Sequence, residues 1–269
     1  MNEYDYEIRD LYNSLSSLML NEGDVLFIHS NIGFFGKMKF IDTENSLCNT
    51  FYTAIKSFIG DKGTICVPTF TYSYPRNEVY DNSIPSRMGV FSEFIRSHPA
   101  SIRSDDPCYS VAAIGPMADK IVVGACRNSF SKFHSPLARM WSARAKILNF
   151  NFDAGSTFIH LFERNLSVPY RFDKEFHGES VLDGVSSKSF HKIYVRYLHP
   201  LLEAEFTTFD QLARKHGLFR TAKLGRGEMG IITVDDTYKL IKETLPSRPW
   251  FLTKAELTGE IPENYKHLR

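Results

Sequence analysis

No stretch of this sequence reaches the ~18 apolar residues that a bilayer-spanning helix needs. Its opening residues, Met1-Asn2-Glu3-Tyr4-Asp5, are polar and acidic, without the charged-then-apolar order of a secretion signal. Cysteine is scarce: Cys48, Cys66, Cys108 and Cys126 are the only four, and no two stand at C-x-x-C spacing. Neither a zinc site nor a disulfide framework is expected, so the metal reading is none. Together these absences point to the reducing cytoplasm. An excess of either charge is missing as well. With 32 basic and 31 acidic side chains the net charge is +1, which gives no support to nucleic-acid or membrane-surface binding. G-x-x-x-x-G-K-S/T, G-x-S-x-G and H-E-x-x-H are absent, which removes P-loop chemistry and zinc-peptidase chemistry and weakens an α/β-hydrolase.

What is present is material for a core. Hydrophobic residues make up 43% of 269 positions, enough for a single large domain over 1–269, with a change of rhythm near residue 170 as the one candidate subdomain boundary. Ile8, Leu11, Tyr12, Leu15, Leu18 and Met19 recur at helical spacing. Val25–Ile28 follows as a buried strand. Leu47, Phe51, Ile55 and Phe58 mark a second helix and Thr64–Val67 a second strand. This α-β-α-β order predicts an α/β fold, a layered central mixed sheet flanked by helices. From Pro68 to Met88 there are three prolines, three tyrosines and no helical period, the profile of a functional loop. Gly89–Ser97 reads as a short helix, Tyr109–Ile114 and Ala145–Phe150 as strands. Ser135 caps a helix at Pro136, and Ser156 or Thr157 caps one that runs to Arg164. Later, Lys192–His199 alternates as a half-buried strand, Phe209–His216 reads as a helix ended by Gly217, and Gly230–Val234 as a strand followed by a helix capped by Asp235. The tail beyond Pro246 shows no clear period.

Gly225-Arg226-Gly227-Glu228-Met229-Gly230 matches G-x-G-x-x-G. A dinucleotide fingerprint must be followed by a helix, whereas β-branched Ile231-Ile232-Thr233-Val234 follows here, so a β-turn is expected. A nucleotide-dependent oxidoreductase rests on those glycines alone. Three other clusters carry more. His29-Ser30 ends the first strand, at the sheet edge where ligands collect in α/β folds; its bland reading is a turn. Ser86-Arg87-Met88-Gly89 enters a helix, where exposed N–H groups and a guanidinium suit a phosphate; its bland reading is a cap. His160 and Glu163 share a helical face at i, i+3, and a carboxylate beside an imidazole fixes its tautomer and raises its basicity, as base chemistry on an amine requires. The bland reading there is a structural histidine with a nearby acid.

In order along the chain, several blocks resemble the aminoglycoside 3-N-acetyltransferase family of coenzyme A-dependent enzymes. They are Gly23–Ser30, Gly63-Thr64 through Thr71, Pro85–Gly89 with Phe91-Ser92-Glu93, His98-Pro99, Arg103-Ser104, Pro107, Ser110–Pro116, Ser135-Pro136-Leu137 and Ser156–Glu163. The likeness spans about residues 5 to 170 and continues more weakly to about 245. It implies an α/β fold with a central mixed sheet and direct acyl transfer from a thioester to an amine. It implies His160 as the catalytic histidine and Glu163 as its acidic partner. It places His29, Ser30, Ser86, Arg87, Gly89 and Ser110 in blocks that line a coenzyme A pocket.

The near-neutral charge departs from the acidic clefts expected of enzymes that modify polycationic drugs. The segment Tyr170–Gly178 is more similar to the branch that acylates nucleotide-linked amino sugars for surface polysaccharides, as in the anthrose pathway. On that reading the acceptor is a nucleotide-linked amino-dideoxy sugar of dTDP type, with a base stacked on a ring of the Phe70–Tyr80 loop, and Thr69, Tyr72, Tyr74 and His177 are the substrate-binding candidates. Aminoglycoside modification is the alternative, and a coenzyme A-binding protein without catalysis is the non-enzyme alternative. Expected partners are two small molecules, acyl-CoA and an amino sugar, with a homo-oligomer open.

Overall fold

The computed structural model describes residues 4–124 and 126–269; residues 1–3, on which part of the leader reading rests, lie outside it. The chain runs α1 (Ile8–Ser17), β1 (Val25–Ser30), α2 (Glu44–Ile59), β2 (Thr64–Pro68), β3 (Tyr80–Asp81), α3 (Val90–Ser97), β4 (Ile102–Arg103), β5 (Val111–Ile114), α4 (Ala118–Val122), α5 (Pro136–Ser142), β6 (Lys146–Phe150) and α6 (Phe158–Asn165). It continues β7 (Arg171–Leu182), β8 (Val185–Arg196), α7 (Thr207–Lys215), β9 (Arg220–Leu224), β10 (Gly227–Thr233), α8 (Val234–Thr244) and α9 (Lys254–Thr258).

Among the described residues, seven strands form one sheet in the order β4-β5-β2-β1-β6-β10-β9. β1 pairs parallel with both β2 and β6, and the outer pairings are antiparallel, so the sheet is mixed as expected. The period of two along its strands splits the core. Val25, Phe27, Cys66 and Ile147 face one cluster, with Leu137, Phe158, Phe162 and Ile241. Leu26, Ile28, Ile65, Val67, Leu148 and Phe150 face the other, with Leu15, Phe51, Ile55 and Phe91. The chain therefore leaves β1 for α2 on one face and leaves β6 for α6 on the opposite face. Neighbouring parallel strands whose connections diverge in this way open a crevice at their carboxyl ends. No helix among the described residues is long and apolar enough to cross a membrane.

Several sequence expectations need correction. α8 is capped by Thr233, whose Oγ1 accepts from Asp236 N at 3.0 Å; Asp235 is already inside the helix. The strand expected at Lys192–His199 is the end of β8, which starts at Val185 and pairs with β7 over its full length. This hairpin, with β3, forms a second sheet that begins where the sequence rhythm changes near residue 170. The aperiodic 68–88 segment contains a helical turn at Tyr74–Arg76 and the short β3. β4, α4 and α9 were not expected. Gly225-Arg226 is the two-residue hairpin connection between β9 and β10, and Gly227–Gly230 lie within β10, so the run is not a strand-to-helix turn. Gly225 has φ +51°, and a Cβ there would lie 2.1 Å from the Phe35 carbonyl oxygen, so backbone approach explains that glycine. The residues for a dinucleotide site are therefore not arranged as one.

Candidate active site

The crevice at the ends of β1 and β6 collects most of the residues singled out above. His29, near the end of β1, sets its ring against Phe27 at 4.8 Å between centroids, and its Nε2 lies 3.0 Å from the Ser156 hydroxyl. Burial lowers the His29 pKa to about 4, so the ring is neutral at pH 7. Ser156 also accepts from Phe158 N at 3.3 Å and so starts α6, the helix that carries His160. The pairing of Ser156 with His29 locks α6 to the end of β1.

On α6 the i, i+3 spacing brings His160 Nδ1 to 2.7 Å from Glu163 Oε2. Glu163 is wholly buried and His160 retains 17% of its side-chain exposure. Two further groups hold the same carboxylate. Tyr170 donates to Oε1 at 2.9 Å, and Arg171 Nε lies 2.7 Å from Oε2 with its N–H turned off the oxygen, an ion pair more than a hydrogen bond. Burial alone would push the Glu163 carboxyl up, but Arg171, then the bonds from His160 and Tyr170, outweigh it and hold it below the usual range. His160 is also lowered, by burial first and the Arg171 cation second, against the opposing pull of Glu163. The result is an ionised carboxylate accepting from Nδ1–H of a neutral imidazole, which leaves the Nε2 lone pair as acceptor.

Rings enclose His160. Phe130 meets His160 edge-on at 5.8 Å and Phe206 lies at 6.1 Å. Phe130 touches Tyr109, which touches Tyr72 and Phe70, so an aromatic run leads from His160 to the 70–72 loop. Tyr72 is held at φ +55°, a conformation costly for a bulky side chain. Tyr109 is placed by a buried cluster: Asp106 Oδ1 accepts Tyr109 N and Cys108 N at 2.8 Å, and Oδ2 lies 3.2 Å from His191 Nε2 on β8.

A separate cleft of ≈ 690 Å³ opens on the other side of Ser30, lined by Ser30, Gly33, Phe34, Gly89, Val90 and Arg226 among others. Ser30 Oγ is buried without a hydrogen-bond partner. Gly89, at φ +93°, ends beside it, a Cβ there falling 3.5 Å from Ser30 O. It caps α3 with no side-chain hydrogen bond. An orphaned hydroxyl, free helix-terminal N–H groups and an arginine at the rim fit a phosphate-bearing ligand. Ser86 and Arg87 border this end. The Ser86 hydroxyl accepts from Met88 N at 3.1 Å and Arg87 stands exposed, 3.4 Å from Glu78.

Other singled-out residues are placed differently. Thr69 and Ser110 are fully enclosed, their hydroxyls 3.1 Å apart, with Arg103 donating to Ser110 Oγ and to Thr69 O. They brace the loop after β2. Tyr74 lies inside the hairpin sheet, its hydroxyl 2.9 Å from both Ser180 and Ser189. His177 is exposed on β7, 3.0 Å from Glu175, and lines a ≈ 660 Å³ groove with Asn77, Arg127 and Lys188. The structure does not bring Tyr74 or His177 to His160. Sequence reasoning missed Arg171, Tyr170, Ser156 as partner of His29, and the Asp106–His191 pair. An arginine next to a tyrosine just after the His160 helix was the one local sign of the first two.

The fold is that of an α/β enzyme of the acyl-transfer class, and the site holds a histidine fixed by a buried carboxylate. Residues 27–246 match the family model described as aminoglycoside 3-N-acetyltransferase, and the chain belongs to that family. It is thereby an N-acetyltransferase, of a family whose acyl donor is acetyl-CoA. Among solved structures it is similar to a histidine-to-alanine variant of aminoglycoside acetyltransferase AAC(3)-IVa in complex with a gentamicin, at 19% identity over 100% of both chains and TM-score 0.77. It is similar also to AAC-IIIb binary with CoASH, at 18% identity over 90% of this chain and 97% of that one, TM-score 0.75. A third is the YokD protein from Bacillus subtilis, at 19% identity over 91% and 98%, TM-score 0.70. No curated protein sequence matches the chain.

Proposed function

We propose that the protein moves the acetyl group of acetyl-CoA to an amino group of an aminoglycoside-type amino sugar, directly, with neutral His160 taking the amine proton. The observation that carries this reading is the His160–Glu163 pair, a free Nε2 acceptor on a ring whose other nitrogen is fixed by an ionised carboxylate. Bound acetyl-CoA supplies a thioester already activated toward an amine. The chain has to hold the reactants about 3–3.5 Å apart, accept the proton and keep water out. Phe130 and Phe206 serve the last task. Coenzyme A fits the cleft lined by Ser30, Gly89 and Arg226, with its phosphates near the α3 N-terminus and Arg226, which also pairs with Asp5. Thr69 and Ser110 contribute by bracing the loop that carries Tyr72. The free thiols Cys48, Cys66, Cys108 and Cys126 suit work in the cytoplasm.

For the acceptor, the family to which the chain belongs supports an aminoglycoside, and so do Asp153, Glu205 and Asp210. Desolvation first, then the nearby Asp210 and Glu205, raise the pKa of Asp153 against the pull of Arg214, which pairs with Asp210 at 2.8 Å. Such a potential favours a cationic acceptor. One observation favours the second reading, a nucleotide-linked amino sugar: the run Phe70–Tyr109–Phe130, with Tyr72, offers rings on which a base stacks. The test is competition, read by mass spectrometry. The protein, acetyl-CoA, a kanamycin-type aminoglycoside and a dTDP-amino sugar are mixed at equal acceptor concentration. Faster acetylation of the drug supports the first reading and faster acetylation of the nucleotide sugar the second. Acetylation of neither, with coenzyme A bound, overturns both.

A further inference from the structure

We infer that Arg171 is a positioning residue for the transfer: its guanidinium, 2.7 Å from Glu163 Oε2, shares with His160 the carboxylate oxygen that orients the base. The inference rests on His160 being the base, as proposed above.

The argument is one of charge balance in a closed space. Glu163 is wholly buried, the Arg171 side chain is only 6% exposed, and a buried lone charge is costly. Glu163 thus needs one compensating cation. Two groups within 2.7 Å of Oε2 can supply it, the guanidinium and a protonated imidazole. Arg171 is always charged, so with it present the balance is met and His160 has no electrostatic reason to take a proton. Without it, the nearest cation available to Glu163 is His160 itself, and an imidazolium is no base. Arg171 therefore lets the carboxylate orient the ring without protonating it.

The arrangement is anchored from several elements. Arg171 begins β7, in register with Arg196 at the end of β8. Its Nη1 donates to Tyr194 O at 3.3 Å. Tyr170 occupies the second carboxylate oxygen, so Glu163 cannot swing away. The titratable and charged groups around the pair are Glu163 on α6, Arg171 on β7 with Tyr170 before it, Tyr194 on β8 and Tyr109 from the loop before β5. Further out lie the Arg164–Asp173 pair and the Asp153, Glu205 and Asp210 carboxylates. The phenols are neutral at pH 7, their burial pushing Tyr109, Tyr170 and Tyr194 upward, so among the described residues Arg171 is the permanent cation paired with Glu163.

The experiment titrates His160 directly, by NMR of histidine-labelled protein, with His160→Gln to assign its signal. The variants are Arg171→Gln and Arg171→Lys, and kcat and KM are followed against pH. In Arg171→Gln the His160 midpoint should rise, and the acid limb of kcat/KM should rise with it. kcat should fall more at pH 6 than at pH 8, with KM for acetyl-CoA unchanged. Arg171→Lys, which keeps the cation, should return the midpoint most of the way. If Arg171→Gln does not fold, Glu163→Gln combined with Arg171→Met removes both charges, and its His160 midpoint should stay low. A midpoint that stays put in folded Arg171→Gln, or rises in the double variant, overturns the inference. A midpoint that rises while the acid limb stays put overturns His160 as the base instead, so the two failures are separable.

Discussion

His29 Nε2 and the Ser156 hydroxyl stand 3.0 Å apart across 127 residues of chain. That contact fastens the end of β1 to the start of α6, so the strand end that borders the Ser30 cleft and the helix that carries His160 move as one piece. It also buries an imidazole that stays neutral. The His29 pKa falls to about 4 in the folded protein against 6.5 when free. The unfolded chain therefore takes up this proton first, and stability is present above pH 6.5 and lost as pH falls toward 4. From His29 the loss should amount to about 3 kcal/mol between pH 7 and pH 4. Urea unfolding of wild type and His29→Gln at several pH values checks it: the variant should show a shallower acid decline.

His160→Ala should lower kcat by about 10²–10⁴-fold, the usual worth of a general base. Coenzyme A affinity by calorimetry should hardly change. Glu163→Gln should cost less in rate, since the imidazole remains. It should cost more in stability, about 3 kcal/mol, because Arg171 is left buried without its anion. Turnover close to wild type in folded His160→Ala would hand the proton to another group.

Ser30→Ala separates fold from ligand. The hydroxyl is buried and unpartnered, so its removal should leave the melting temperature level or slightly higher. If it faces coenzyme A, calorimetry should show binding weakened by about fivefold, on the order of 1 kcal/mol.

Tyr74→Phe deletes a hydroxyl within 2.9 Å of both Ser180 and Ser189, and should cost about 1–3 kcal/mol. Gly178→Ala should cost a similar amount, since a Cβ there would sit 2.3 Å from the Tyr74 ring. Hydrogen exchange in both variants should quicken along 176–190, with KM for acetyl-CoA unaltered. A KM effect on the acceptor alone, without faster exchange, would make Tyr74 a binding residue.

The helices of the first half were legible because they obey the 3.6 period. Phe51 and Ile55 are buried on α2, and Phe91 and Ile95 on α3. Ser135 caps α5 through Ala138 N as its position before Pro136 suggests. β7 was hard to read because its inward face interrupts the apolar Phe172, Phe176 and Leu182 with Gly178 and Ser180, which pack against Tyr74, so the alternation by which strands are recognised is broken. Asp183-Gly184 between Leu182 and Val185 was its available sign, a two-residue hairpin turn. His160 and Glu163 were readable because they lie on one helix. Arg171 was not, because only the packing of β7 against α6 brings it to the same carboxylate. Asp106 and His191 likewise meet across two elements 85 residues apart in sequence, and no local pattern announces a pair of that kind.

The three parallel strands β2, β1 and β6 all end at one rim of the sheet, the rim that carries His29 and Ser30. At the opposite rim the chain closes in short turns, where Lys62 stands 80% exposed and pairs with Glu22. A five-residue strand, roughly 17 Å, separates the two rims. The molecule thus has a natural handle. A cysteine introduced at Lys62 and coupled to a bead or a dye would present the crevice outward, and acceptors too bulky to reach an enzyme attached at random would still have a clear approach.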